Sequence, residues 1–355
     1  MTAGGAATRE WLASSQISAT TLPSRTPRAQ ALTDALLGGS GSAPGDTRTA
    51  WQEARARLER GLASVVPSGP RPLLARIGHY QVARALGALL GAGPAAAPAP
   101  QEGAFRWSSR AARRPVGLAA LRAGLDGRAE TPTDAVALVM SDPGGPLGVG
   151  RTGPGSCADW VSSLAPPART IVAAEAAAWA TRLWTALDWG RLDPEKLSVG
   201  GPDRWWRWSG GCAGPSARVA LRGRADVRLR PDATGGSGPP QGAHGAHLVV
   251  LDGHPGVVTR PALMLSALVD ALSSTRSPDQ GSAPSRVIGW WPDSGKVWII
   301  PVDAHSLAVA ADAAVATAEV LLGARAAAER GALDAVGERG AAAERGAAGG
   351  TGSGR

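Results

Sequence analysis

Apolar positions along this chain follow helix-like spacing up to about residue 150, and a mixture of helix and strand patterns after it. In the first part, the helix candidates are Ala50–Val65, Leu73–Leu90 and Arg110–Leu125. Stretches rich in glycine, serine and proline at 38–46 and 91–103 separate them, which is typical of linkers. We therefore predict a mainly helical N-terminal region over residues 1–150.

The second part of the chain predicts both helices and strands. A long helix over Ala168–Asp188 carries apolar residues at intervals of three and four. The elements after it are strands at Asp203–Trp208, Ala217–Leu229 and His247–Leu251, a helix at Ala262–Ser273, strands at Arg286–Trp291 and Val297–Val302, and a helix from the N-cap Asp303 through Leu322. This order predicts an α/β fold, with a mixed sheet flanked by helices, over residues 151–322. The tail 323–355 repeats Glu-Arg-Gly among alanine and glycine, and we predict disorder there because such a segment buries too little apolar surface.

The predicted strand Ala217–Leu229 alternates between apolar and charged side chains. One face carries Val219, Leu221, Gly223, Ala225, Val227 and Leu229, and the other carries Arg218, Arg222, Arg224, Asp226, Arg228 and Arg230. One carboxylate therefore stands in a row of five guanidinium groups, which could hold a phosphate backbone while Asp226 holds a metal ion. The alternative is a half-solvated strand whose aspartate pairs with its arginine neighbours.

The next predicted strand ends in a second carboxylate. Leu248–Leu251 are apolar without alternation, as in a strand buried on both faces, so Asp252 stands where the strand emerges. Gly253 and Gly256 around Pro255 permit an abrupt turn at this point. An aspartate at the exit of a buried strand is equally compatible with a role in a catalytic site and with a role in capping the turn.

Taken in order, a helix, the sequence Gly-Arg-Ala-Asp-Val-Arg-Leu at 223–229, the sequence Leu-Val-Val-Leu-Asp-Gly-His at 248–254, a helix and two closing strands resemble the RecB-like branch of the PD-(D/E)XK nuclease superfamily. The resemblance covers about residues 165–322. It implies a restriction-endonuclease-like αβββαβ core and Mg²⁺-dependent hydrolysis of phosphodiester bonds in DNA. The catalytic residues that it implies are Asp226, Asp252 and His254.

By position, the resemblance assigns Asp226 and Asp252 as metal ligands, with Glu175 on the preceding helix as the third. Glu175 could equally be a surface residue that pairs with Arg182. The implied contacts to nucleic acid are Arg218, Arg222, Arg224 and Arg228. His254 occupies the position of the family's lysine, and an imidazole with an ordinary pKa of about 6.5 supplies no permanent cation at neutral pH.

The departures from the family pattern leave three interpretations open. The chain is an active nuclease, or a catalytically silent module that uses the same fold to bind DNA or a protein, or an unrelated α/β scaffold. The predicted helix lacks, at Ala262–Ala271, the Gln or Tyr that the family places there. His244, His247 and His254 could instead suggest zinc, although the first two fall in a predicted glycine-rich loop.

The charge is compatible with a polyanionic partner such as DNA, although the excess of arginine over lysine is also typical of a GC-rich genome. The formal net charge is +8 and the isoelectric point is near 10.9. The cluster Arg106, Arg110, Arg113 and Arg114 could hold phosphates or form a solvated helix end. The sequence Trp-Trp-Arg-Trp at 205–208 could stack nucleic-acid bases or pack in the core.

Targeting and membrane signals are missing from the sequence pattern. The N-terminus carries charged residues and no apolar secretory segment, and no uninterrupted apolar run reaches membrane-spanning length. The two cysteines, Cys157 and Cys212, form no closely spaced metal-binding pair. We therefore predict a cytoplasmic protein with no membrane partner.

Overall fold

The computed structural model describes residues 20–21, 28–38, 47–66, 75–90, 106–149, 153, 155–201, 203–210, 218–230, 245–256, 259–274 and 284–324. The helices are α1 (Arg28–Leu37), α2 (Thr47–Val65), α3 (His79–Leu90), α4 (Ser109–Leu125), α5 (Pro132–Ser141), α6 (Cys157–Ser163), α7 (Pro166–Ala186), α8 (Thr259–Ser274) and α9 (Ala304–Ala324). The strands are β1 (Thr20–Thr21), β2 (Ala75–Ile77), β3 (Leu197–Val199), β4 (Arg204–Trp208), β5 (Val219–Gly223), β6 (Val227–Leu229), β7 (Ala246–Val250), β8 (Arg286–Trp291) and β9 (Lys296–Pro301).

Two sheets organise the described residues. The larger sheet has the order β1-β9-β8-β7-β6-β3, in which β7 and β8 are parallel and all other neighbours are antiparallel. The smaller sheet has the order β2-β5-β4, with β2 parallel and β4 antiparallel to β5. The predicted fold class, α/β with a mixed sheet and flanking helices, is confirmed at this level.

Helices cover both faces of the larger sheet. Strand β7 is buried at every position, Ala246–Val250. Leu248 and Val250 pack with residues of α1, α4 and α7, whereas Val249 packs on the other face with residues of α2, α8 and α9. A nearly continuous apolar run suits this strand because neither of its faces meets water. Helix α8 also contacts β4 and β5, so it is shared by the two sheets.

The prediction of one strand over Ala217–Leu229 is wrong. Val219–Gly223 form β5 in the smaller sheet, and Val227–Leu229 form β6 in the larger one. The apolar residues of β5 pack against α8, and those of β6 pack on the side of α7. The chain crosses between the sheets after Gly223, where an added Cβ would lie 2.9 Å from Val269. Alternation alone does not reveal this crossing, because both strands alternate in the same way.

Most of the other predicted elements match the structure within a few residues. The predicted N-cap of α9 is confirmed, because the Asp303 carboxylate accepts a hydrogen bond from the Ser306 amide (2.7 Å). The predicted helix Leu73–Leu90 is wrong at its start, where Ala75–Ile77 form β2 and pair with β5. Strand β3 is not among the predicted elements, because its three residues are too few to show an alternating pattern.

Residues on both sides of position 150 contribute to the same cores. Strand β2 joins the smaller sheet, α1 packs in one cluster with α7 and β7, and α2 packs with α8 and α9. The predicted linkers at 38–46 and 91–103 lie outside the described residues, except for Gly38. The predicted disorder of 323–355 also lies outside them, apart from the last two residues of α9.

Helix α9 is the one described helix whose length and composition would let it cross a membrane. Half of its apolar window is buried inside the protein. Its buried residues, including Leu307, Ala311 and Ala314, belong to the core that it shares with α8. Packing within the protein therefore accounts for the buried half of this apolar window.

Glycine at position 117 allows α4 to approach α7 closely. A Cβ added to Gly117 would lie 2.6 Å from the Trp179 ring, whereas one added to Gly87 in α3 meets nothing within 4 Å. We expect Gly117→Ala to lower the free energy of unfolding by about 1–3 kcal/mol through overpacking. Gly87→Ala should raise it by up to about 1 kcal/mol through helix propensity. Urea unfolding followed by circular dichroism measures both, and effects of the same sign would contradict the close contact at Gly117.

Candidate functional site

Strands β6 and β7 bring two carboxylates to one end of the larger sheet. The strands are antiparallel, with Val227 opposite Leu248. Asp226 precedes β6, and its amide donates a hydrogen bond to the Leu248 carbonyl (2.8 Å). Asp252 follows the last residue of β7, Val250, by two positions. Both aspartates are therefore at the end of the strand pair where β7 finishes.

Asp226 is completely buried, and both of its oxygens have partners. Oδ1 accepts a hydrogen bond from Nε of Arg114, and Oδ2 accepts one from the Val250 amide (2.8 Å) and lies 3.3 Å from Nη2 of Arg224. Burial by itself would raise the pKa of Asp226, but the charges of Arg114 and Arg224 and the amide hydrogen bond lower it. Asp226 is therefore an ionised and fully paired carboxylate at neutral pH.

Asp252 is held by the same helix that supplies Arg114. Nη2 of Arg113 donates to Oδ1 of Asp252 at 2.5 Å, and Nη2 of Arg110 lies 3.9 Å from Oδ2. The next residue, Gly253, has a φ of 77°, in the left-handed region that glycine favours. The chain bends at Gly253, where the sequence predicts that a turn is permitted.

Helix α4 presents its arginines together because of their spacing. Arg113 and Arg114 follow Arg110 by three and four residues, so both lie on the helix face of Arg110. The Ser108 hydroxyl caps the helix by accepting a hydrogen bond from the Ala111 amide (3.2 Å). The sequence shows this cluster, but it does not show that the cluster meets the carboxylates. We call the following group the rim: Arg110, Arg113, Arg114, Arg224, Asp226 and Asp252.

Arg224 extends the rim towards α3. Its Nη2 donates to the Val250 carbonyl (2.8 Å), and its Nη1 donates to Nε2 of His79 (3.3 Å). Burial lowers the pKa of Arg224 to about 10, so the guanidinium stays charged at neutral pH. Burial and the charges of Arg224 and Arg114 lower the pKa of His79 to about 3, so its ring is neutral and accepts this hydrogen bond.

The prediction of one continuous arginine face over 218–230 is wrong, because these residues are divided between two sheets. Arg218 and Arg228 are only 4% and 7% exposed, so they cannot contact a nucleic-acid backbone from these positions. Arg222 is exposed on the smaller sheet, and Arg224 belongs to the rim. The four arginines predicted to bind nucleic acid therefore do not form one surface.

Glu175 does not join the two aspartates. It lies on α7 and accepts a hydrogen bond from the Ser109 hydroxyl (3.0 Å). Within the part of the chain that the structure describes, no three His, Cys, Asp or Glu side chains are close enough to hold one metal ion. The oxygens of Asp226 accept from nitrogen donors, and Asp252 is paired with Arg113. The predicted Mg²⁺ ligands are therefore not assembled, and in this arrangement they do not fit the ion, which needs open carboxylate oxygens.

The histidines of the zinc alternative do not form a group among the described residues. His247 lies in β7 rather than in a loop, with its Nε2 3.0 Å from Asp270. His254 is exposed, two residues after Asp252. His244 lies outside the described residues. The assignment of His254 as a substitute for the family's lysine stays a prediction.

No protein-family model, no curated protein and no solved structure matches this chain. The rim combines four arginines with two aspartates, so its positive charge exceeds its negative charge by two. Guanidinium groups bind phosphate oxygens through paired N–H donors. Arg110 is the rim arginine with the most exposed side chain, so the accessible edge of the rim is chemically suited to a phosphate group rather than to a divalent cation.

Proposed function

We propose that this chain is a catalytically silent nucleic-acid-binding module with a RecB-like nuclease fold, in which the rim binds the phosphate backbone of DNA. The observation that carries the proposal is the state of Asp226. The side chain is buried, and Arg114, Arg224 and the Val250 amide occupy its two oxygens. A carboxylate in this state positions arginines and has no oxygen open to a metal ion.

The strand order supports a nuclease-like fold. Strands β3, β6, β7 and β8 are neighbours in the larger sheet, and the last two are parallel with α8 connecting them. Helix α7 precedes β3 along the chain. This agrees with the αβββαβ order that the family resemblance implies, with β4 and β5 inserted between β3 and β6.

The distribution of charge supports DNA as the partner. Arg110 is 71% exposed at the outer edge of the rim, and the chain carries a net charge of +8. Arginines that neutralise phosphates release the counterions condensed on DNA, so such binding strengthens at low salt. A DNA partner is compatible with the predicted cytoplasmic location, which stays a prediction.

An active Mg²⁺-dependent deoxyribonuclease is the second candidate. It is favoured by the position of Asp226 and Asp252 at the same end of β6 and β7. It requires Arg113 and Arg114 to leave these carboxylates, and it requires His254 to act in the place of lysine.

The double substitution Arg110→Ala with Arg113→Ala should weaken DNA binding and flatten its salt dependence. Each lost phosphate contact should reduce the slope of log K against log salt by about 1. Fluorescence anisotropy with a short labelled duplex, measured over a salt series, tests this. The matched control is Arg182→Ala on α7, an exposed arginine that pairs with Asp293. A wild-type protein that does not bind at low salt, or a double variant with an unchanged slope, would contradict the proposal.

A cleavage assay separates the two candidates. Incubated with Mg²⁺ or Mn²⁺ and linear single- or double-stranded DNA, neither the wild type nor His254→Lys should cut, because arginines hold the carboxylates. Cleavage by His254→Lys that is lost in His254→Lys with Asp252→Asn would establish a weakened nuclease instead of a silent module.

A further inference from the structure

The smaller sheet has one face that packs in the core and one that faces outward. Alternate residues of β5 and β4, such as Leu221 and Trp206, are paired in register and buried against α8. The residues between them point the other way. The outer face of the smaller sheet consists of Arg76, Trp205, Arg207, Ala220 and Arg222.

The sequence Trp-Trp-Arg-Trp at 205–208 is divided between these two faces. Trp206 and Trp208 pack in the core, as the packing interpretation predicts. Trp205 points outward and is 43% exposed, and it is the one exposed tryptophan in the described part of the chain. Core packing therefore explains Trp206 and Trp208, but it does not explain Trp205.

Trp205 is held in a defined orientation by a cationic neighbour. The guanidinium carbon of Arg222 lies 5.7 Å from the centre of the Trp205 ring, within cation–π distance. Nε of Arg222 donates to the Asp203 carboxylate (2.6 Å), which fixes the guanidinium over the ring. The two planar groups form an exposed aromatic and cationic platform.

Two further arginines stand in the neighbouring row of the same face. Arg76 and Arg207 are both exposed and lie on either side of Ala220 in the sheet register. Adjacent strands are about 4.8 Å apart, so the two arginines stand about two strand spacings from each other. Ala220 between them is only 3% exposed, so the accessible groups of this row are the two arginine side chains. The face thus offers the flat Trp205–Arg222 platform beside two exposed arginines.

We propose that the outer face of the smaller sheet binds single-stranded nucleic acid. An unpaired base stacks on the Trp205–Arg222 platform, and Arg76 and Arg207 contact the phosphates on either side of it. A duplex keeps its bases inside the helix and cannot offer one to Trp205. The rim recognises phosphates of any strand, so the outer face adds a preference for unpaired bases.

The outer face and the rim are adjacent in the fold, on either side of Gly78 and His79. A Cβ added to Gly78 would lie 3.9 Å from Cβ of Arg222 on the outer face. The next residue, His79, lies 3.3 Å from Arg224 of the rim. The proposal for the outer face nevertheless stands on its own residues and does not require the rim to bind.

Trp205→Ala should lower the affinity for a labelled oligothymidine by roughly 5- to 150-fold, the range for loss of one stacked base, and Trp205→Phe should retain most of it. An oligonucleotide of the same length with abasic sites keeps the phosphates and removes the bases. Wild type should bind it about as weakly as Trp205→Ala binds oligothymidine. The same comparison of wild type with Trp205→Ala, made with oligouridine, tests whether RNA is bound as DNA is. A similar loss of affinity for both probes would show that recognition needs only the bases and the phosphates.

The matched control is Ile171→Ala, which truncates an exposed apolar residue on α7 and should change neither affinity nor melting temperature. Unchanged single-strand binding by Trp205→Ala, or an equal loss for single strands and duplex, would overturn the proposal for the outer face. Loss of duplex binding in the Arg110→Ala, Arg113→Ala double variant reports on the rim alone. The two proposals can therefore fail separately.

Discussion

Replacing Asp226 with alanine is expected to lower the free energy of unfolding by about 3–5 kcal/mol, the usual loss when one partner of a buried ion pair is removed. The substitution leaves Arg114 and Arg224, both largely buried, without their carboxylate, and it leaves the Val250 amide without its acceptor. Urea unfolding at neutral pH, followed by circular dichroism, measures this difference.

Asp252→Ala is the matched control on the same rim. Asp252 is half exposed and pairs with Arg113 at the surface, so its removal should change stability by less than about 1 kcal/mol. The comparison also bears on function. Acidic residues assembled for a metal ion repel one another, and removing one of them commonly stabilises the protein. A stability that is unchanged or increased in Asp226→Ala would favour the nuclease candidate.

Replacing Asp270 with asparagine is expected to have a similarly large effect and to change how stability depends on pH. Asp270 is a buried residue of α8, and Oδ2 lies 3.0 Å from His247, 3.2 Å from Arg204 and 4.0 Å from Arg228. These partners come from β7, β4 and β6, so the carboxylate connects α8 to both sheets. Removing its charge should lower the free energy of unfolding by about 3–5 kcal/mol.

The pH dependence follows from the direction of the pKa shift. Burial by itself would raise the pKa of Asp270, but the charge and hydrogen bond of His247 and the charges of Arg204 and Arg228 lower it. The ionised carboxylate therefore stabilises the fold above its unfolded pKa of about 3.9, and this contribution is lost as the pH falls through the lower folded pKa. Wild type should lose stability below about pH 4, and Asp270→Asn should lose less over the same range.

Urea unfolding at a series of pH values tests this expectation. Asp293→Asn is the control, because Asp293 pairs with Arg182 at the surface and its loss should change stability by less than about 1 kcal/mol. Parallel pH profiles for wild type and Asp270→Asn would show that Asp270 does not carry the effect.

Much of the fold could be predicted because local patterns carry it. The apolar run of β7, the spacing of α7 and α8 and the cap at Asp303 are properties of a few consecutive residues. The pairing of β2 with β5 could not be predicted, since it joins Ala75–Ile77 to residues far along the chain. The division of residues 217–229 into two strands could not be predicted for a related reason. A period of two shows that a strand has two faces, and it does not show which sheet the strand joins.

The candidate site divides in the same way. The sequence by itself determined the net positive charge, the two aspartates beside strands and the arginine spacing on α4, because charge and periodicity are local properties. Only the tertiary structure decided what these groups contact. Arg113 and Asp252 are 139 residues apart, and Arg114 and Asp226 are 112 apart. Helix α4 packs beside β6 and β7, and this packing brings each arginine to its aspartate. The predicted metal ligands are therefore ion-paired with arginines.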